Sequence, residues 1–239
     1  MIPTQMVAAL LGQALVGETT RGVGQPTSNT PLQILFFLTA ATVLPAVVVS
    51  LTPFLRITLV LHFLRQALGT QSAPSNQVLI GTALFLTTIV MKPIAGEVYE
   101  RSWVPFEKGE LSWQAAAGEA AEPMKRFWIP YCREKDLQLM IELTRTQPPA
   151  RADMLSPTVI APAYVISELR AGFQMGAVLF LPFLIIDLVV ASVTLTIGMV
   201  QLPPVMISAP FKILLFVLAD GWNLVIGSLV RSFQISGGV

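Results

Sequence analysis

The chain has 239 residues, 54% of them hydrophobic and only 12% charged, with a mean hydropathy of +0.68 and a formal net charge of +1. A soluble globular domain carries about 25% charged residues, so the composition excludes an ordinary water-soluble fold, and the balanced charge gives no basic patch for nucleic acid. A single cysteine, Cys132, excludes an intrachain disulfide framework, and a single histidine, His62, excludes a His-rich metal centre.

The charges are unevenly placed. None falls between Arg21 and Arg56 or between Arg65 and Lys92, whereas Lys92 to Asp153 holds 9 basic and 10 acidic residues. One polar region therefore lies between two membrane-grade regions. The expected fold is all-α and membrane-associated, with proline-broken hydrophobic helices and an inserted polar helical segment. Its expected divisions are a lead-in over 1–31, hydrophobic helices over 32–91, the polar segment over 92–153 and a hydrophobic core over 154–239.

Met6 to Val16 is an apolar run the size of a signal-peptide core, although no Lys or Arg precedes it. Gly17 to Pro31 reads as a flexible lead-in. Leu32 to Leu51 predicts a first apolar helix kinked at Pro45, and Phe54 to Leu68 a second that carries Arg56, His62 and Arg65. The turn-rich Gly69 to Asn76 break offers Asn76 as an N-cap. Gln77 to Met91 then predicts a third helix, stopped before Pro93. Arg56 and Arg65, read as a short basic connection without acids, place that end in the cytoplasm and the polar segment opposite it.

Within the polar segment, Ser112 is expected to cap an Ala-rich helix ending near Pro123. Met124, Phe127, Trp128 and Tyr131 recur on one helical face and predict packing. Pro130 should bend or restart that helix. Leu137, Met140 and Ile141 continue an apolar face toward Pro148 and Pro149, and Cys132 reads as a small filler.

The stretch from Pro162 to Trp222 is almost continuously apolar, yet single charges sit at Glu168, Arg170, Asp187, Lys212 and Asp220. From Leu188 to Phe211 no residue is charged, enough for a span of roughly 20 residues. Ionisable groups in lipid are costly and face a partner helix or a watery cavity. The expectation is that their counterparts come from neighbouring copies. Asp187 and Asp220 read either as polar glue or as proton-responsive acids. Gly172 and Gly176 form a pair that permits close helix contact, and Phe173 and Trp222 read as packing residues.

The segment Pro162-Ala163-Tyr164-Val165-Ile166-Ser167-Glu168-Leu169-Arg170-Ala171-Gly172-Phe173-Gln174-Met175-Gly176 resembles a signature of the FliP family of flagellar type III export-gate proteins. Pro182 to Asp187, Pro210 to Trp222, Leu68-Gly69-Thr70, Ser75 to Leu79 and Arg133-Glu134-Lys135-Asp136-Leu137 fit the same family, so the resemblance runs from about Leu51 to Phe233. It implies a pentameric gate subunit that assembles with FliQ and FliR into the conduit for unfolded rod, hook and filament proteins, largely on the periplasmic side of the inner membrane. It also implies that Glu168 and Lys212 pair between neighbouring copies, and that Met199, Val200, Gln201 and Leu202 occupy the pore constriction, where methionine acts as an adaptable gasket. Related injectisome proteins are the alternative, but the long N-terminal part and the Ser75-Asn76-Gln77 loop look more flagellar.

Two other classes compete. A small-solute transporter would suit proline-broken helices with isolated charges, but it would want an internal repeat, and none is found. An enzyme would need a catalytic set, and the sequence shows no Gly-x-Ser-x-Gly, phosphate loop or ligand cluster. No cofactor is expected.

Overall fold

One helix of 40 residues, Pro157–Thr196, is packed against by four others, Phe54–Ala67, Trp113–Trp128, Glu134–Leu143 and Pro204–Leu218. The structure is a computed structural model, and it describes residues 30–70, 73–147, 151–198 and 203–234. The signal-like run Met6 to Val16 lies outside the described residues. In chain order the main elements are α1 (Thr30–Ser50), α2 (Phe54–Ala67), α3 (Asn76–Val98), α4 (Trp113–Trp128), α5 (Glu134–Leu143), α6 (Pro157–Thr196), α7 (Pro204–Leu218) and α8 (Gly221–Gln234). Among the described residues there is no strand, so the all-α expectation holds.

Val47–Val239 form one compact unit, and Met1–Ala46 fall outside it. The described part of the latter is residues 30–46 of α1, where Ile34, Leu35, Phe37 and Leu38 are exposed. The larger unit includes both the polar segment and the hydrophobic helices, and α3 does not stop at Met91. Instead α3 runs through Lys92 and Pro93 to Val98, then continues as a π-helical turn, Tyr99–Trp103, and a last α-turn, Val104–Glu107. Pro93 was expected to stop it. An interior proline costs roughly 3 kcal/mol, and here Val90, Met91 and Ile94 on both sides of it pack against the core. Pro123 likewise sits inside α4 rather than ending it, because Phe127 and Trp128 beyond it are buried. At Pro130 the chain does break, into a single 3-10 turn over Ile129–Tyr131.

Capping follows the chemistry of short polar side chains. Ser112 Oγ accepts from the Ala115 N–H at 3.3 Å, as expected. At α3 the cap is Ser75 rather than Asn76. Asn76 is instead taken up by Arg65, whose Nη1 donates to its Oδ1 at 2.5 Å.

The core is built on α2 and α6. Ile57, Val60, Leu61 and Leu64 recur at helical spacing and are buried against Val159, Ile160, Ala163 and Tyr164. The two helices approach closely because Gly172 and Gly176 lack side chains. A Cβ at Gly172 would lie 2.7 Å from Leu59 Cδ2, and one at Gly176 would lie 2.3 Å from Phe63 Cδ2. Phe63 in turn meets Phe173 edge-on, with ring centroids 5.5 Å apart.

At 1.5 Å per residue α6 is about 60 Å long, twice the roughly 30 Å hydrocarbon core of a bilayer. Its two halves have different surroundings. Up to Gly172 it is enclosed by α2, α4 and α5. From Phe173 onward Val178, Leu181, Leu184, Ile185, Leu188, Val189 and Val193 are exposed. The described residues contain two helices long and apolar enough to cross a membrane, Asn76–Glu107 and Pro157–Thr196. The count rises to four if each of two bent helix pairs is one span; Pro204–Leu218 and Gly221–Phe233 form such a pair, bent by 65°. The uncharged stretch from Leu188 to Phe211 is therefore not one crossing segment. It is the end of α6, a turn beginning at Ile197 and Gly198, and the start of α7.

Overpacking the α2–α6 contact should be costly, at roughly 1–3 kcal/mol for an inserted methyl. Gly176→Ala is expected to lower the melting temperature of the detergent-purified chain by several degrees, and adding Phe63→Ala should recover part of the loss. A Gly176→Ala protein that melts like the parent would show that the contact is looser than described.

Candidate functional site

The three charged groups of α6, Glu168, Arg170 and Asp187, lie along its length, and all are answered from other helices of the same chain. Glu168, fully buried, pairs with Arg56 of α2, whose side chain is 7% exposed. Arg56 also donates from Nη1 to Ser232 Oγ of α8 at 3.1 Å, and its guanidinium lies 4.2 Å from the Phe233 ring centroid and 5.7 Å from that of Tyr131. The planar, weakly hydrated guanidinium suits this sandwich of carboxylate and rings. Tyr131 closes the group by donating to the Phe233 carbonyl. One arginine thus ties α2, α6 and α8 to the turn before α5. Glu168 Oε2 and Arg56 Nε have no hydrogen-bond partner among the described residues. The pair therefore constrains how the helices fit more than it adds net stability.

Next to Glu168, Ser167 Oγ donates to Asp136 Oδ2 at 2.8 Å and accepts from the Arg133 N–H at 3.0 Å. Arg170 reaches Asp136 Oδ1 at 3.2 Å. Asp136 sits in the first turn of α5, where the helix dipole also favours a negative charge. The Arg133 to Leu137 motif is thereby fastened to the Ser167 to Arg170 motif.

Farther down, Lys212 Nζ donates to Asp187 Oδ2 at 2.6 Å, and Ser208 Oγ donates to Asp187 Oδ1 at 2.5 Å. Lys212 is 2% exposed. These bonds join α6 to α7. Asp220 plays a different part. It is exposed at the α7–α8 turn with a left-handed φ of 49°, and its Oδ2 accepts from Asn223 Nδ2 at 3.0 Å. Beside that turn Trp222 meets Phe216 edge-on at 5.4 Å.

These contacts revise several expectations. Glu168 and Lys212 were expected to neutralise each other across copies, yet the chain supplies Arg56 for one and Asp187 for the other. Arg56, read as part of a short basic connection, lies in α2 with its charge buried. The two intramembrane acids, treated as alike, have unlike surroundings. Met199, Val200, Gln201 and Leu202 lie outside the described residues. Ser167, Ser208, Asp136, Arg170 and Ser232 were not singled out for these roles. The only signal for any of them was their place inside or beside the quoted motifs.

His62 Nδ1 lies 2.8 Å from the Thr58 carbonyl oxygen, a local helix contact. Cys132 rests against the Ile160 carbonyl at 3.8 Å. Burial above all, and then the carboxylates of Glu168 and Asp136, push its thiol up to about 12. Burial likewise pushes the Tyr131 phenol up, against the opposing pull of Arg56. Among the described residues no group of three or more His, Cys, Asp or Glu side chains could hold a metal ion.

Two outcomes follow for these residues. Breaking the buried pair with Arg56→Ala or Glu168→Ala strands a charge, at roughly 3–5 kcal/mol, and should leave little folded chain after detergent extraction. The swap Arg56→Glu with Glu168→Arg should recover more of it than Glu168→Lys with Lys212→Glu, which sets like charges against Arg56 and Asp187. Fluorescence-detected size exclusion distinguishes them, and the opposite ranking would contradict the pairing described. At pH 8 a thiol held near 12 is roughly one part in ten thousand thiolate. Iodoacetamide should therefore modify Cys132 at least tenfold more slowly in the folded chain than in the denatured one, and equal rates would count against its burial.

Comparison with known proteins agrees with this framework. The model of the FliP family matches residues 37–229. The chain is 47% identical over 202 residues to the flagellar biosynthetic protein FliP of Pectobacterium carotovorum, covering 84% of this chain and 78% of that one. It is 46% identical over 205 residues to the protein of that name from Bacillus subtilis, covering 86% and 93%. Against that of Caulobacter vibrioides it is 42% identical over 233 residues, covering 98% and 87%. With a family match over most of its length and this level of identity to such relatives, the chain belongs to the FliP family.

Proposed function

We propose that the chain is a structural subunit of the flagellar protein-export gate in the bacterial inner membrane. It forms a homo-oligomer, a pentamer, that joins FliQ and FliR to make the conduit for unfolded rod, hook and filament proteins, with much of the assembly on the periplasmic side. Membership of the FliP family carries this reading. The apolar flank formed by the second half of α6 and by α7 supports the assembly. Phe173, Val178, Leu188, Val189, Phe211, Leu214 and Leu218 are exposed there, and contiguous apolar surface larger than a few hundred Å² is rarely left to water. Lipid or neighbouring helices would cover it. In this reading Met199, Val200, Gln201 and Leu202 form the constriction, and the chain holds shape rather than catalysing a reaction.

The buried charges give the subunit its part in such an assembly. Arg56, Asp136 and Lys212 answer the charged groups of α6 internally, so the outer flank can be left uncharged and largely apolar without stranding an ion. A small-solute transporter would instead keep some of its charges free to meet a substrate.

The test is gentle extraction of the tagged full chain, alone and co-produced with its FliQ and FliR, followed by intact-complex mass measurement. A mass near five copies, growing when the two partners are present, is expected, together with restored motility in a strain lacking the gene. A monomer that never associates with either partner would overturn the reading.

A further inference from the structure

We infer that Asp187 is a positioning residue: with Lys212 and Ser208 it sets the register in which α6 and α7 run antiparallel, and so how the end of α6 at Thr196 stands against the start of α7 at Pro204. The inference deepens the proposed gate function and rests on it only for its consequence for export.

The geometry is specific. Both oxygens of Asp187 are engaged by α7, Oδ2 by Lys212 Nζ at 2.6 Å and Oδ1 by Ser208 Oγ at 2.5 Å. Ser208 and Lys212 stand one turn apart on α7, so the carboxylate bridges two rungs of a single face. One turn back along α6 from Asp187, Phe183 meets Phe216, one turn forward on α7 from Lys212, with ring centroids 6.4 Å apart. The ionic rung and the aromatic rung share one antiparallel register. Beside the ionic rung and toward the far end of α6, Ile186, Val190 and Val193 of α6 and Ile207 and Phe211 of α7 line an apolar groove. Branched side chains of this kind could interlock equally well one turn up or down. The charged rung could not, because a slip of one helical turn, about 5.4 Å, would leave a nearly buried lysine without its counterion.

A third element encloses the lysine. Gly69, in the break after α2, has a φ of +71°, and a Cβ there would lie 3.9 Å from Lys212 Nζ and 3.7 Å from Ala209 Cβ. The Leu68-Gly69-Thr70 motif therefore packs on the face of α7 that carries Lys212. That leaves the ammonium directed at Asp187. Lys212 thus answers to an acid in its own chain, and Asp187 reads as a fixed counterion rather than a free intramembrane acid.

The test uses the full-length chain in native membranes in a Cys132→Ser background, with Val190→Cys and Ile207→Cys placed on the two walls of the groove. Thiol-to-thiol crosslinking by dibromobimane within one chain reports the register. Asp187→Asn or Lys212→Met should lower the crosslink yield several-fold, and the swap Asp187→Lys with Lys212→Asp should restore most of it. An unchanged yield in both single variants overturns the inference. So does a swap that restores nothing while Glu168→Lys with Lys212→Glu does, since Lys212 would then belong to Glu168. Should the single variants fail to accumulate, the swap still decides, because only a true pair is rescued by reversal. Motility is scored in the same strains. Crosslinking that follows the charges while motility does not would leave the register standing and remove the gate reading instead.

Discussion

The buried contact between Arg56 and Glu168 is the constraint on which the rest of the structure depends. A fully buried carboxylate in an apolar helix is tolerable only with a cation against it, and Arg56 meets that need from α2. The same guanidinium bonds Ser232 and stacks on Phe233, so placing it correctly also places α8. The close α2–α6 approach at Gly172 and Gly176 continues the same interface farther along the two helices. Charge and shape thus specify one relation between these helices, and a slipped or rotated alternative would violate both.

From that contact the long helix acts as a rail with polar fastenings at intervals. Asp136 fastens α5 through Ser167 and Arg170, and Asp187 fastens α7 through Ser208 and Lys212. Each fastening joins groups more than twenty residues apart and satisfies them inside one chain. The second half of α6 is then left with an apolar exterior, which is what lipid or a neighbouring helix accepts. A chain whose charged groups are met internally can present an uncharged, largely apolar flank while retaining a well-defined interior.

Much of this architecture was legible beforehand. Apolar run lengths announced helices of membrane grade, the cluster of charges between Lys92 and Asp153 marked the polar insert, and Ser112 marked a helix start that the structure keeps. Met124, Phe127, Trp128 and Tyr131 fell on the face that packs, because helical periodicity is a local property of the backbone. Prolines were less informative. Pro93 and Pro123 look like stops locally, but the loss of one hydrogen bond is outweighed when side chains beyond the proline are buried, and burial is not a local property.

The amino-acid sequence by itself determined that this is an all-α, membrane-grade chain, which residues are ionic islands, and to which family it belongs, since each depends on composition, short-range period or ordered motifs. Only the tertiary structure decided how the islands are matched. Glu168 had Arg56, Arg170 and Lys212 as possible partners, and Lys212 had Glu168, Asp187 and Asp220. Nothing in the linear order ranks them, because a counterion is chosen by through-space distance and by the helix face that carries it. Those are settled by the packing of α2, α6 and α7, where two glycines let one pair of helices close together and an aromatic rung aligns the other.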